Sequence, residues 1–164
     1  MKANFSSLHP FFTNHYKLDW INQFQIKDVL RFLRTIFPTV TPDGVANYIN
    51  QSMKSIMQNQ KLIFGIGDKK TDHFLGMIRI DFKNHQATMN IDCVEKLADS
   101  EALIEIVQRM VTLLFSDQIK VDKIKIINNA DNESLYHWLD DQYKITITSV
   151  TTRMIYIINR NDKK

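Results

Sequence analysis

The sequence predicts a mixed α/β fold in which helices cover both faces of a central, mostly antiparallel sheet. Three observations predict it. Two amphipathic helical stretches come before the strongest strand patterns. Short alternating apolar runs then cluster in the middle and at the end of the chain. One long helical stripe lies between two of these runs, as in a crossover between parallel strands, expected to be right-handed.

The elements follow in order. Lys17 to Asn22 (Lys-Leu-Asp-Trp-Ile-Asn) reads as a short opening strand. From Ile26, the residues Ile26, Val29, Leu30, Leu33 and Phe37 recur at three- and four-residue steps and form one apolar stripe. Pro38 stops that helix. Thr41-Pro42-Asp43-Gly44 then supplies an N-cap, a proline at the first helical position and an early acid. The helix so opened turns Val45, Ile49, Met53, Ile56 and Met57 inward. Leu62 to Gly67 is an apolar strand closed by the polar turn Asp68-Lys69-Lys70-Thr71-Asp72, and Phe74 to Phe82 is the next strand. Asn84-His85 makes a hairpin turn into Ala87, Met89 and Ile91, whose alternation marks a half-buried strand. Gly65-x-Gly67 lacks the following helix of a dinucleotide fingerprint and reads as a strand end or bulge.

Ser100 to Phe115 is the central helix: Leu103, Val107, Met110 and Leu114 form its stripe, with Ile104 and Val111 beside it. Glu105 and Arg109 are spaced to pair on its outer face. Lys123 to Ile127 alternates as a strand. Ser134 to Asp141 is a short helix with Leu135, Trp138 and Leu139 inward, and two closing strands run from Lys144 to Val150 and from Arg153 to Asn159. The polar end, Asn159 to Lys164, is expected to fray. There is no repeat, low-complexity block or dividing linker, so residues 1–164 read as a single domain.

Composition sets outer bounds. The 164 residues are 44% hydrophobic and 24% charged, enough to bury a core without metal or disulfide. This excludes a disordered tail, a collagen or a disulfide scaffold. A net charge of +3, spread along the chain, demands neither nucleic acid nor an anionic membrane. The start, Met-Lys-Ala-Asn-Phe-Ser-Ser-Leu-His-Pro, lacks the apolar centre of a signal peptide, and no stretch is apolar enough to span a bilayer. Cys93 is the only cysteine, which fits a reducing, cytoplasmic setting. His9, His15, His73, His85 and His137 have the wrong spacings for a paired helical zinc site. Composition leaves monomer and homodimer equally open.

The order of elements resembles that of the GNAT-type N-acetyltransferases, and specifically the RimJ/RimL-like branch that acetylates protein N-terminal amines and related amines. The resemblance runs from about Lys17 to Asn159. Glu101-Ala102-Leu103 matches the Glu-Ala-Leu that opens this family's central helix. Asp131-Asn132-Glu133-Ser134-Leu135, followed by Gln142-Tyr143, looks like its Asn-x-x-Ser-Ile segment and closing Gly-Phe.

The resemblance implies an enzyme that transfers an acetyl group from acetyl-CoA, as cosubstrate, to an amine of a protein, peptide or small molecule. The cofactor would lie in a V-shaped gap between the strand ending near Cys93 and the strand ending near Asn128. Backbone of Ile91, Asp92 and Cys93 would orient the thioester. The loop Val94, Lys96, Leu97 and Ala98, with the first turn of the central helix, would receive the pyrophosphate. Asn132 or Ser134 would contact the pantetheine, while Ser134 and Tyr136 are the candidate catalytic groups. The first two helices and the turn Thr148-Ser149-Val150-Thr151 would wall the acceptor site.

The sequence also departs from the family. Its pyrophosphate loop carries Gln/Arg-x-x-Gly-x-Gly/Ala, whereas here the glycine positions fall on Glu95 and Leu97 and no glycine follows Gly76. Glu95, Asp99 and Glu101 put carboxylates where phosphates belong, or else simply cap the helix. Trp138 stands where many relatives carry a tyrosine acid, and an indole does not release a proton near neutral pH. Asp81 and Asp92, near strand ends, are candidates to accept an amine proton through water. Cys93 reads as packing rather than as a nucleophile. A second expectation therefore stands beside the enzyme: a GNAT-fold protein without acetyl transfer, serving as a binding or interaction module.

Overall fold

One eight-stranded sheet organises the chain, in the order β1-β2-β3-β4-β5-β6-β8-β7. A computed structural model describes residues 5–8 and 10–164; His9 lies outside them. The strands are β1 (Phe11–Phe12), β2 (Tyr16–Trp20), β3 (Lys61–Asp68), β4 (Phe74–Lys83), β5 (Gln86–Cys93), β6 (Lys123–Asn128), β7 (Tyr143–Val150) and β8 (Arg153–Lys163). The helices are α1 (Ile26–Ile36), α2 (Pro42–Met57), α3 (Glu95–Ala98), α4 (Leu103–Phe115) and α5 (Glu133–Gln142). Every neighbouring strand pair is antiparallel except β5 and β6, whose parallel pairing is reached across α4. The expected order of strands and helices is present, with β1 and α3 added.

Alternation along β4 separates the two faces. Ile78 and Ile80 join the larger core, beneath α4 and α5, with Met89, Ile91, Ile124 and Ile126. Met77 joins a smaller core built by Val29, Phe32 and Leu33 of α1 and Val45 and Ile49 of α2, and so does Phe74, beyond a slip in the β3–β4 ladder that shifts the alternation by one residue. The α1 stripe is rotated from its expected position: Phe32 is buried, whereas Ile26 and Phe37 stand 47% and 61% exposed. Both lie at the helix ends, Ile26 as its first residue and Phe37 as its C-cap. Met57 likewise closes α2 pointing outward, 74% exposed.

Local chemistry fixes several junctions. Thr41 Oγ1 accepts from Gly44 N at 3.0 Å, so the cap read from the sequence opens α2. The Asp68 carboxylate accepts from Lys70 N and Thr71 N, at 2.8 and 3.0 Å, to close the turn after β3. Asn84 and His85 both take positive φ, 51° and 63°, the conformation of a tight two-residue hairpin. The ladder from β3 to β4 slips between Ile66 and Gly67, the bulge anticipated at Gly65-x-Gly67. A Cβ on Gly65 would collide with the Phe24 ring.

Three further expectations are corrected. Glu105 does not pair with Arg109: its carboxylate accepts from His15 N at 2.7 Å and meets His15 Nδ1 at 2.9 Å, while Arg109 lies over the Phe11 ring. The folded β1–β2 segment brings these closer partners than an i,i+4 neighbour. The C-terminal end is not frayed, since β8 continues to Lys163, opposite Tyr143, and Lys164 N donates to Gln142 O at 2.8 Å. The central helix begins at Leu103 instead of Ser100, because Ser100 Oγ accepts from Ala102 N and holds a separate turn. No helix among the described residues is long and apolar enough to cross a membrane.

Candidate functional site

The site begins where β5 and β6 part. Their ladder runs from Gln86 opposite Lys123 to Ile91 opposite Asn128, and β5 then continues through Asp92 and Cys93 paired with β4 alone. The Cys93 carbonyl faces this opening, where the Asn129 carboxamide donates to it at 3.2 Å. On the other side, β4 presses against the same two residues. A Cβ on Gly76, which has φ of 156°, would strike the Asp92 carbonyl and the Cys93 Cα. The Cys93 side chain is buried in the larger core, and burial, helped by Asp92 and Asp99, pushes its thiol up to about 12. It stays protonated at neutral pH, so the backbone at Cys93, not the sulfur, addresses the gap.

The loop that follows is wound up. Leu97 N and Ala98 N donate to Val94 O, Asp99 N to Glu95 O, and Ser100 N to Leu97 O. Leu103, Ile104 and Glu105 continue the pattern onto Ser100, Glu101 and Ala102. The N–H groups of a phosphate-receiving loop are therefore mostly engaged, since Val94 N also donates to Leu75 O and Ala102 N to Ser100 Oγ; those of Glu95, Lys96 and Glu101 have no such partner among the described residues. Leu97 is 4% exposed and belongs to the core, so it cannot simply be exchanged for the family's glycine. Removing such a side chain costs roughly 2–5 kcal/mol. Glu95, Lys96, Asp99 and Glu101 are exposed, and none of the helix starts here is capped by a glutamate or aspartate side chain.

Two asparagines lock that loop from below. Asn132 Oδ1 accepts from Leu135 N at 2.9 Å, capping α5, while its Nδ2 donates to Ala98 O at 3.0 Å and Ser100 O at 2.8 Å. Asn128 Nδ2 donates to Ala98 O and Ala130 O, both at 2.9 Å. Asn132 is 1% exposed with three bonds to protein, so its side chain holds the site's frame. Ser134 is exposed in the first turn of α5. Tyr136 is half-buried, its ring 5.4 Å from that of His137. Trp138 is half-buried against the larger core, as its apolar spacing predicts.

A cavity of about 330 Å³ opens beside the end of β5, on the face carrying α1 and α2. Ile36, Phe37 and Val40 form an apolar wall, and Tyr48, Arg79, Asp92 and Arg153 give the polar side. Asp92 is buried; Arg79 Nη2 donates to its Oδ2 at 3.0 Å, and Arg153 Nη2 lies 3.6 Å from its Oδ1. Burial pushes the Tyr48 phenol above its usual range, opposed by Arg79 and a hydrogen bond with Ser52. Residues of the first two helices line this cavity; the closing hairpin contributes Arg153, and none of Thr148 to Thr151 lines it. Asp81 lies apart, paired with Lys61 at 3.4 Å on the surface.

Sequence reasoning missed Arg79, Arg153 and Asn129. Arg79 had a usable signal, a lone charge inside the apolar run Gly-Met-Ile-Arg-Ile. Arg153 and Asn129 had none, because their partners Asp92 and Cys93 are remote in sequence.

The residues fit an acyl-CoA unevenly. The open backbone edge at Cys93 suits a thioester arm with an amide to exchange for that of Asn129. The diphosphate end meets few free N–H groups and three carboxylates.

No family model matches the chain, and no curated protein does. Solved structures do. A ribosomal-protein-alanine acetyltransferase from Vibrio fischeri superposes with a TM-score of 0.65 at 15% identity, covering 96% of this chain and 100% of that one. RimL, a ribosomal L7/L12 α-N-protein acetyltransferase in complex with coenzyme A, gives 0.69 at 7% identity, over 93% and 97%. A GCN5-related N-acetyltransferase from Brucella melitensis gives 0.65 at 12% identity, over 94% and 80%. The chain has the GNAT N-acetyltransferase fold, and ribosomal-protein acetyltransferases are among its structural neighbours.

Proposed function

We propose that the chain is an N-acyltransferase that uses acetyl-CoA as cosubstrate to acetylate an amine. The observation that carries this reading is the parting of β5 and β6 beyond Ile91 and Asn128, with a cavity of ligand size opening beside Asp92. A bound acyl thioester supplies the electrophilic carbonyl. The chain supplies the rest: backbone at Ile91, Asp92 and Cys93 orients the acyl arm, and Val94, Lys96, Leu97 and Ala98 form the rim toward the nucleotide. Asn132 fixes that rim by holding the Ala98 and Ser100 carbonyls. Ser134 and Tyr136, on the first turns of α5, are the groups that hand a proton to the departing thiolate. The acceptor enters from the α1 and α2 side. This reading sets the enzyme in a reducing cytoplasm, as a monomer or homodimer.

The wound loop favours a second reading, a GNAT-fold module that binds a ligand in the cavity without acetyl transfer. A titration with acetyl-CoA separates the two. A ligand present at one hundred times its dissociation constant stabilises the folded state by about 2.7 kcal/mol. For a chain of this length that raises the melting temperature on the order of 5–10 °C. No shift at millimolar acetyl-CoA, with no thiol release in the presence of amines, overturns the transferase and leaves the module.

A further inference from the structure

We infer that the cavity beside Asp92 takes an amino-acid-like acceptor, a small amine bearing a carboxylate and an apolar side group, with Arg153 as the residue that holds the carboxylate. This rests on the acyltransferase reading for the word acceptor, though the binding claim can be tested by itself.

Charge is the first ground. Arg79 and Arg153 set two guanidinium groups against the single carboxylate of Asp92, leaving one positive charge at the cavity. The two arginines are not equivalent. Arg79 donates a hydrogen bond to Asp92 at 3.0 Å. The Arg153 guanidinium stands 3.6 Å from the other oxygen and makes no side-chain hydrogen bond among the described residues. Its planar fork of five N–H donors therefore remains available, and that fork matches a carboxylate through two parallel bonds. One surplus charge balances the carboxylate of an amino acid whose amine has lost its proton, as it must before it attacks a thioester. A phosphate dianion would leave charge unmet in a partly buried site.

Shape is the second ground. Ile36 and Phe37 keep 40% and 61% of their surface exposed beside the cavity, large apolar groups that the protein covers only in part. An apolar side group laid against them would remove that surface from water. The volume, about 330 Å³, lies at the low end for ligand pockets, so it suits a small molecule or a single terminal residue.

Calorimetry with four probes tests the inference: L-leucine, L-leucinamide, phosphoethanolamine, and a Glu-Leu peptide amide whose only carboxylate is a side chain. Thiol release from acetyl-CoA is followed in parallel. L-Leucine should bind at least roughly tenfold more tightly than L-leucinamide, since charged hydrogen bonds are the strong ones. Arg153→Gln should erase that preference and Arg153→Lys should restore part of it. Tighter binding of the Glu-Leu amide would assign the carboxylate to a side chain and still support the inference. Equal binding of leucine and leucinamide, preference for phosphoethanolamine, or no binding of any probe overturns it. Thiol release with leucinamide alone would keep the transferase and sink the carboxylate; carboxylate-dependent binding without thiol release would do the reverse.

Discussion

Asn129 Nδ2 donates to the Cys93 carbonyl at 3.2 Å, bridging the place where β5 and β6 cease to pair. The bond closes an opening that the main chain alone would leave. It also occupies the acceptor that an incoming amide would need. Asn129→Ala should therefore tighten acetyl-CoA binding while costing about 1 kcal/mol of stability, the ordinary net value of one hydrogen bond. Weaker binding in the variant would mean that Asn129 contacts the cofactor, and the place-holder reading would fall.

Asn132 does two jobs that substitution can separate. Asn132→Ser keeps an oxygen to cap α5 but loses both donors to the loop; Asn132→Ala loses the cap as well. The expected losses are about 2 kcal/mol for serine and about 3 kcal/mol for alanine, summing hydrogen bonds near 1 kcal/mol and a cap of about 1 kcal/mol. Chemical denaturation measures both. Equal losses would show that the cap contributes nothing.

The Cys93 thiol should resist alkylation. With its acidity shifted to about 12, roughly one molecule in 10,000 carries a thiolate at pH 8, and burial hides the sulfur as well. Mass spectrometry after iodoacetamide treatment should find the native protein unmodified and the urea-unfolded protein fully labelled. Rapid native labelling would show that the gap opens as far as the core face.

Acid should loosen the β1–β2 corner before the core. Burial pushes the Glu105 carboxyl up, but hydrogen bonds from His15 and Thr13 outweigh it and hold the group below its usual range. A depressed carboxyl stabilises the fold above its unfolded-state range, and that contribution is lost as pH falls through the folded value. Glu105→Gln should remove it, lowering stability at pH 7 by no more than about 1 kcal/mol because His15 is exposed. The difference between variant and parent should vanish in acid. A gap that persists at pH 2 would place the effect elsewhere.

What the sequence determined by itself is the set of elements and their order. Periodicity reports which residues an element buries, so α4, β3, β4 and β5 were legible, as were the Thr41 cap and the Asn84-His85 turn, whose chemistry is local. The GNAT fold was legible too, through that order and the short match at Glu101-Ala102-Leu103. Tertiary structure decided the rest. Glu105 left its helical neighbour for His15, ninety residues away, because a folded chain offers partners that spacing along one helix does not reveal. The glycine-poor loop read as a damaged phosphate cradle; in the fold it is a turn of helix with Leu97 in the core, tied down by Asn128 and Asn132. The cavity needed β4, β5 and β8 to bring Arg79, Asp92 and Arg153 together across 74 residues, a distance over which no pattern in the chain carries a signal.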